Sequence, residues 1–264
     1  MNKQNLNELE EKISELSKEE KKQRYLYLRQ LVTGELQGPL VGIPNIDKPW
    51  LKHYDEKLMT FDLPDKSVYE FVLDANQDNM DNTALEFYGS KITYREFFKK
   101  VDETEKAFRK LGIQEGDVVS FCTPTIPETF YSFYALNKIG AIANMIDPRT
   151  NASSIKTFIE NANSKMIMYI DIAYPKMAPI INEMNITNVV SMSVADSLPV
   201  PKKTFYKLKD KVENSKRTKV SVNKRVINWH EFIKSGKDYT FAPKELTDKL
   251  NLPSGIVYTS GTTG

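Results

Sequence analysis

The chain has 264 residues, of which 40% are hydrophobic and 27% charged, proportions typical of a folded globular protein. Its 37 basic and 35 acidic residues leave a net charge of only +2, which excludes a chain built as a whole around nucleic acid or an acidic membrane surface. Cys122 is the only cysteine, which excludes an internal disulfide. We interpret it as a buried apolar side chain rather than a nucleophile.

The N-terminus carries no recognisable targeting signal. The first eight residues are mostly polar and lack the apolar core of a secretory signal. No stretch approaches the roughly 18 apolar residues of a membrane span. We therefore expect a cytoplasmic protein without a membrane span.

Residues 1–64 are predicted to form an N-terminal helical arm and a wrapping loop. Apolar residues recur every three or four positions from Asn5 to Leu31, and Ser17 with Glu20 fits a capping box that separates two helices. From Thr33 to Pro64, glycines and prolines are too dense for regular elements. We interpret the arm as lying on its own domain rather than binding a partner.

From residue 65 the pattern is typical of alternating strands and helices. A short strand pair is predicted at 84–88 and 92–93, followed by a helix from Tyr94 to Leu111 that ends at Gly112. Pro127 begins another helix and Gly140 ends it. Further strands are predicted at 117–121, 141–146, 166–170 and 189–191, with helices at 153–160 and 174–184.

This alternation predicts an α/β fold with a mainly parallel sheet flanked by helices on both faces. The segment from Pro201 to Arg225 is strongly basic, with ten lysines and arginines against Asp210 and Glu213. We interpret it as a solvated helix and loop rather than a site for a phosphate-rich cofactor or nucleic acid. The sparse aromatic residues, Phe205 and Tyr206, argue further against binding of single-stranded nucleic acid. We therefore expect no nucleic-acid partner.

The last ten residues carry the chemistry. An apolar strand, Gly255–Tyr258, leads directly into a string of hydroxyl and glycine residues. Glycines let backbone amides point together into a concave site for anionic oxygens, and hydroxyls add donors without bulk. The predicted phosphate-binding residues are Thr259, Ser260, Gly261, Thr262, Thr263 and Gly264.

Two common nucleotide-binding motifs are excluded here. The Walker loop needs a lysine after its last glycine, whereas Thr262 follows Gly261, and the Gly-x-Gly-x-x-Gly pattern of a dinucleotide fold is absent. On physical grounds alone, an ordinary Thr/Gly turn remains the alternative to a phosphate site.

The string Tyr-Thr-Ser-Gly-Thr-Thr-Gly at 258–264 closely resembles the phosphate-binding loop of the adenylate-forming superfamily, which includes acyl-CoA synthetases, peptide-synthetase adenylation domains and luciferases. Three upstream segments resemble other signatures of that family, in the same order: residues 92–97, 111–119 and 136–148. We interpret these three segments as packing and turn elements without a chemical role. The resemblance extends over about Ser67–Gly264 and implies the first part of the N-terminal domain of the acyl-CoA synthetase fold.

The resemblance also implies a two-step reaction for a complete enzyme. A carboxylic acid, ATP with Mg²⁺, and coenzyme A would be its small-molecule partners. In the family the loop continues into Pro-Lys-Gly, so we expect a chain ending at Gly264 to bind ATP poorly and to be inactive alone; no catalytic or metal-ligating residue is assigned within it. The segments at 46–50 and 144–148 favour a bacterial fatty-acyl ligase. There are two alternatives: an amino-acid-adenylating module that loads a carrier protein, and a non-catalytic remnant of the fold. The oligomeric state is open.

Overall fold

The computed structural model describes residues 17, 19–20, 49–54, 64–199, 201–202, 204–206, 222–223, 226–242 and 245–259. The chain divides into two compact units, residues 1–63 and 64–264. In the first unit, Pro49–His53 is a short 3-10 helix. The predicted capping box is confirmed, since the Glu20 amide donates to the Ser17 hydroxyl (3.3 Å) and the Ser17 amide donates to the Glu20 carboxylate (2.9 Å). Most of the predicted arm and loop lies outside the described residues.

The second unit begins with a helix and a hairpin. Helix α1 is Val68–Ala75, and an antiparallel hairpin follows from strands β1, Thr83–Phe87, and β2, Ser90–Thr93. The turn residues Tyr88 and Gly89 both have positive φ angles, 51° and 89°, as a two-residue hairpin turn requires. The predicted strand pair is therefore confirmed.

Five more α-helices whose full bounds lie within the described residues follow, and local signals set most of their ends. In α2 the Thr93 hydroxyl and the Glu96 side chain form a capping box at the start, and Gly112 follows the end with a φ of 83°. In α3 proline occupies the first turn and Gly140 ends the helix at a φ of 80°. The helices are α2 (Tyr94–Lys110), α3 (Pro127–Ile139), α4 (Ala152–Asn161), α5 (Tyr174–Glu183) and α6 (Trp229–Ser235).

In the part of the chain that the structure describes, six strands form one parallel sheet in the order β7-β6-β5-β3-β4-β8. All five residues of β5 are buried, which places it in the covered centre of the sheet. The predicted strands are confirmed to within two residues at each end. The bounds of the six strands in the sheet are β3 Val118–Cys122, β4 Ile142–Ile146, β5 Met166–Ile170, β6 Asn188–Met192, β7 Val226–Asn228 and β8 Gly255–Val257.

Helices cover both faces of this sheet, as predicted. Strands β4 and β5 lie on opposite sides of β3 in the sheet. The chain runs from β3 through α3 to β4, and then from β4 through α4 to β5, so the two crossovers run in opposite directions along the sheet. Because such crossovers are right-handed, α3 and α4 lie on opposite faces. Helix α2 packs against both α3 and α6, and α5 packs against α4.

Three elements were missed from sequence: α1, β7 and α6. Both helices are short, at eight and seven residues, so their periodicity is weak. Their capping boxes were the available signal, with Ser67 and Glu70 at α1 and Asn228 and Glu231 at α6.

The basic segment after Pro201 is only partly described. Residues 201–202 and 204–206 are helical, and the exposed Lys202 ammonium donates to the Tyr88 carbonyl (2.7 Å). The larger part of 202–225 lies outside the described residues, and its interpretation as a solvated helix and loop stays a prediction.

Candidate functional site at the carboxyl edge of the sheet

The carboxyl ends of the parallel strands define the edge where a ligand would bind. The connections that follow β3 and β4 leave toward opposite faces, which opens a crevice between adjacent strands at that edge. Thr123, Asp147 and Asp171 are the first residues after β3, β4 and β5. Thr259 reaches the same edge, because β8 is parallel to β4.

Strand β8 places Thr259 through its register with β4. Ala143, Asn144 and Met145 pair with Gly255, Ile256 and Val257. The two strands therefore end together, and Thr259, two residues after Val257, is exposed beside the loop that follows β4. Of the predicted site residues, Thr259 is thus placed at the carboxyl edge. The other five, residues 260–264, lie outside the described residues and their role stays a prediction.

A buried polar network lies directly beneath this point. The Tyr258 hydroxyl donates to Asn144 Oδ1 (2.8 Å), and Asn144 Nδ2 donates to Ser120 Oγ (2.7 Å). The Ser120 and Ser164 hydroxyls are 2.6 Å apart and hydrogen-bonded. Asn144 is fully buried, and its amide nitrogen also reaches the Phe158 carbonyl (3.3 Å), so both ends of its side chain are satisfied.

Aromatic stacking adds to this network. The Tyr258 and Phe158 rings are nearly parallel, at an interplanar angle of 13°, with centroids 3.8 Å apart. Burial raises the pKa of the Tyr258 hydroxyl, which stays protonated and able to donate at neutral pH. Tyr258 therefore joins strand β8 to helix α4 just before the glycine- and hydroxyl-rich string begins.

The opposite end of β8 is held by a second asparagine. Asn137 Nδ2 donates to the Ser254 hydroxyl (2.8 Å), and Asn137 Oδ1 accepts from the Tyr69 amide (2.6 Å). Gly255 lies close to β4, where an added Cβ would be 3.2 Å from the Ala143 carbonyl oxygen. Side-chain hydrogen bonds thus anchor the strand at both ends: Ser254 bonds Asn137, and the Tyr258 hydroxyl bonds Asn144 and also reaches the Phe158 carbonyl (3.3 Å).

The loop after β4 carries an exposed ion pair. Asp147 accepts from the Arg149 side chain through both carboxylate oxygens, at 2.6 to 3.0 Å, and from the Arg149 amide (2.8 Å). These bonds lower the pKa of Asp147 to about 2. The Lys176 ammonium donates to the carbonyls of Pro148 (2.8 Å) and Thr150 (2.7 Å), which ties this loop to α5.

Cys122 is a packing residue, as predicted. Its side chain is 1% exposed, and burial raises the pKa of the thiol to about 11. A thiol that stays protonated at neutral pH is a poor nucleophile.

A separate cavity of about 560 Å³ lies among α2, α3 and α6. Its walls mix cationic Lys106 and Lys234 with Asp196 and the buried Glu128, which accepts from the Ser197 hydroxyl. This mixed lining does not favour a phosphate chain, so the carboxyl edge remains the candidate site for a nucleotide.

The contact between Asn144 and Tyr258 was not predicted from the sequence. The segment containing Asn144 was interpreted as packing, yet this asparagine contacts the residue that precedes the predicted phosphate loop. The available signal was a polar amide in the otherwise apolar strand Ile142–Ile146.

Comparison with known proteins agrees with this geometry. The family described as AMP-binding enzyme matches residues 72–264. Because this match covers well over half of the chain, the chain belongs to the AMP-binding enzyme family.

Individual relatives are CoA ligases and synthetases. The chain is 27% identical over 229 residues to a long-chain-fatty-acid–CoA ligase of Bacillus subtilis, covering 82% of this chain and 38% of the relative. It is 30% identical over 173 residues to a 3-hydroxypropionyl-coenzyme A synthetase of Metallosphaera sedula, covering 66% of this chain and 24% of the relative. The chain thus spans well under half the length of these curated relatives.

A solved structure shares the fold. An anthranilate CoA ligase in complex with anthranoyl-AMP superposes with a TM-score of 0.58 at 18% identity, covering 76% of this chain and 34% of that one. The predicted fold, part of the N-terminal domain of an acyl-CoA synthetase-like protein, is therefore confirmed. Among the described residues, none of the helices has the length and apolar character needed to cross a bilayer.

Proposed function

We propose that this chain is part of an ATP-dependent acid–thiol ligase that activates a carboxylic acid as an acyl adenylate and transfers the acyl group to coenzyme A. The observation that carries the proposal is the parallel pairing of β8 with β4, which brings Thr259 and the start of the glycine- and hydroxyl-rich string to the carboxyl edge of the sheet. Family membership supports the same chemistry.

The proposed reaction balances in two steps. A carboxylate oxygen attacks the α-phosphorus of ATP, and the bond to pyrophosphate breaks as the acyl–AMP bond forms. The thiol then attacks the acyl carbon, AMP leaves, and the thiol proton passes to solvent. Negative charge on the transferring phosphate oxygens needs fixed donors.

The terminal string would supply those donors. Its hydroxyls and amides would hold the β- and γ-phosphates, and removing one hydroxyl would weaken phosphate binding by about 1–3 kcal/mol. The proposed phosphate ligands are Thr259, Ser260, Gly261, Thr262, Thr263 and Gly264.

Magnesium would enter with the nucleotide. Within the part of the chain that the structure describes, no group of three or more His, Cys, Asp or Glu residues is arranged to hold a metal. Mg²⁺ bound to ATP keeps most of its ligands from water and phosphate, so it does not require a dedicated protein cage. We propose it as the partner of ATP, without a ligand among the described residues.

We favour a fatty acid as the substrate. One relative is named for long-chain fatty acids, whereas others are named for 3-hydroxypropionyl- and acetyl-coenzyme A. The sequences at 46–50 and 144–148 resemble those of bacterial fatty-acyl ligases, which supports a long-chain acid as the substrate. A cytoplasmic location remains part of the proposal.

ATP–pyrophosphate exchange tests the proposal. The protein from the complete reading frame that contains this chain would be assayed with long-chain fatty acids, acetate, 3-hydroxypropionate and amino acids. We expect exchange with fatty acids. Exchange with amino acids alone would instead indicate a carrier-loading module, and no exchange with any acid would refute adenylation.

Two variants sharpen the assay. Thr259→Val keeps the shape of the side chain but removes its hydroxyl, and we expect a higher KM for ATP. Thr83→Val is the matched control, because Thr83 is exposed in strand β1 and lies in the hairpin rather than the parallel sheet. Equal KM values for ATP in the two variants would argue against phosphate binding by Thr259.

A further inference from the structure

We propose that Tyr258 and Asn144 form a positioning pair that sets the direction of the phosphate loop, an inference that rests on the proposed function. Tyr258 is the last residue before Thr259, and its hydroxyl donates to Asn144 Oδ1 at 2.8 Å. Neither residue is assigned to contact substrate. They act through the backbone that leads from Tyr258 into Thr259.

The sheet register explains why these two side chains meet. Asn144 pairs with Ile256, and side chains alternate along a strand, so Ile256 and Tyr258 lie on the same face as Asn144. That face is covered by α4, whose Phe158 ring stacks on Tyr258. The tyrosine is thereby held in both directions, by the stack across the face and by the hydrogen bond toward β4.

The network under Tyr258 is built for a single geometry. Asn144 is fully buried, its oxygen accepts from Tyr258, and its nitrogen donates to Ser120 and to the Phe158 carbonyl. Ser120 in turn bonds with Ser164. A buried network with every member satisfied resists alternative arrangements, because a shifted tyrosine would leave an unpaired oxygen in the interior.

The strand needs this anchor at its carboxyl end. Strand β8 has only three residues and pairs with β4 on one side, and Val257 is 74% exposed. With so short a ladder, the backbone at Tyr258 is held chiefly through its side chain. The direction in which the chain leaves the sheet then depends on the hydroxyl–amide bond and the ring stack.

The chain itself offers a matched control. Tyr258→Phe keeps the stacked ring and removes the hydroxyl that donates to Asn144 (2.8 Å) and also reaches the Phe158 carbonyl (3.3 Å), just after the carboxyl end of β8. Ser254→Ala removes one hydrogen bond of equal length, 2.8 Å, to Asn137 at the amino end of the same strand. Each variant removes one hydroxyl from a residue that flanks β8, so a general loss of stability would affect them alike.

Steady-state kinetics of the protein from the complete reading frame give the first readout. We expect Tyr258→Phe to raise the KM for ATP by about threefold to tenfold, as loss of one hydrogen bond predicts, with little change in kcat. Ser254→Ala should leave the KM for ATP near that of the wild type. Equal KM values for the two variants would overturn the positioning role.

Hydrogen exchange gives a readout that does not depend on activity. Amides 259–264 should exchange faster in Tyr258→Phe than in Ser254→Ala, at matched thermal stability of the two variants. If the wild type shows no ATP–pyrophosphate exchange with any acid, the proposed function fails. The comparison of amide hydrogen exchange still tests the positioning pair in that case. Equal amide exchange in the two variants would overturn the pair whatever the activity.

Discussion

Two polar clusters among the described residues use different chemistry for different tasks. The helix cluster joins α2 to α3 through charged groups: Glu105 accepts from Arg109 (2.9 Å) and from Lys138 (2.8 Å), and Lys138 also bonds Asp102 (2.6 Å). The sheet cluster, Ser120, Asn144, Ser164 and Tyr258, is neutral throughout.

Solvent access explains the difference. The side chains of Lys138 and Asp102 are 30% and 52% exposed, so their charges keep contact with water. Asn144 and Ser120 are buried in the sheet, where an ionised group would cost far more than an amide or a hydroxyl. Charges cross-link the helices, whereas neutral hydrogen bonds hold the strand that leads into the phosphate loop.

The comparison predicts that substitutions among the packed helices α2, α3 and α6 lower the stability of the fold and leave the KM for ATP unchanged. Tyr258→Phe, in contrast, should act mainly on the KM for ATP.

The largest effect on stability should come from Phe108→Ala. Phe108 is fully buried in α2, and its ring centroid is 5.1 Å from that of Phe232 in α6. We expect a loss of about 3–5 kcal/mol in unfolding free energy, measured with denaturant. The control Val257→Ala, at an exposed side chain, should cost little, and a raised KM for ATP in folded Phe108→Ala would break the comparison.

Glu105→Gln should lower the unfolding free energy by about 2–3 kcal/mol. This loss is smaller than for breaking a fully buried ion pair, because the Lys138 side chain reaches solvent. Burial alone would lower the pKa of Lys138, but hydrogen bonds to Asp102 and Glu105 raise it overall. A raised pKa stabilises the fold below the unfolded value, near 10.5, and that contribution is lost as pH rises through the folded pKa.

The cost of Glu105→Gln should therefore shrink at strongly alkaline pH. Denaturant unfolding of wild type and variant at neutral pH and well above pH 10.5 measures this. Glu103→Gln is the control, because the Glu103–Lys100 pair is half-exposed and should contribute little. A cost independent of pH would count against the ion pair with Lys138.

Gly236→Ala probes how closely α6 packs on α2. An added Cβ would lie 2.4 Å from the Ala107 amide nitrogen, and backbone atoms cannot yield as a flexible side chain can. We expect a loss of about 1–3 kcal/mol in a thermal or denaturant melt. Lys237→Ala, at the exposed next residue, should be neutral, and a neutral Gly236→Ala would show that the two helices can separate.

Arg149→Ala should have the smallest effect, because the Asp147–Arg149 pair is exposed. The pKa of Asp147, about 2 with the arginine present, should move toward 3.8. A depressed pKa stabilises the fold above the unfolded value, and that contribution is lost as pH falls through about 2. NMR titration of the Asp147 carboxyl measures the shift, with Arg95→Ala as the control. An unchanged pKa would contradict the pairing.

Local sequence determined the ends of α2 and α3 and most of the strands. The capping pair Thr93 and Glu96 and the glycines at 112 and 140 act on their own neighbours, so the bounds of α2 and α3 could be predicted from residues within a few positions. The string at 258–264 likewise indicated a phosphate site and the family without any structure. The role of residues 260–264 stays a prediction.

Only the tertiary structure decided which strands are neighbours and what lies under the loop. Strand β3 lies between β4 and β5, an order that no local pattern encodes. Asn144 and Tyr258 are 114 positions apart in the chain, and their hydrogen bond exists because β8 crosses back to pair with β4. Periodicity reports which face of an element is buried, whereas the partner on that face is chosen by the packing of the whole sheet.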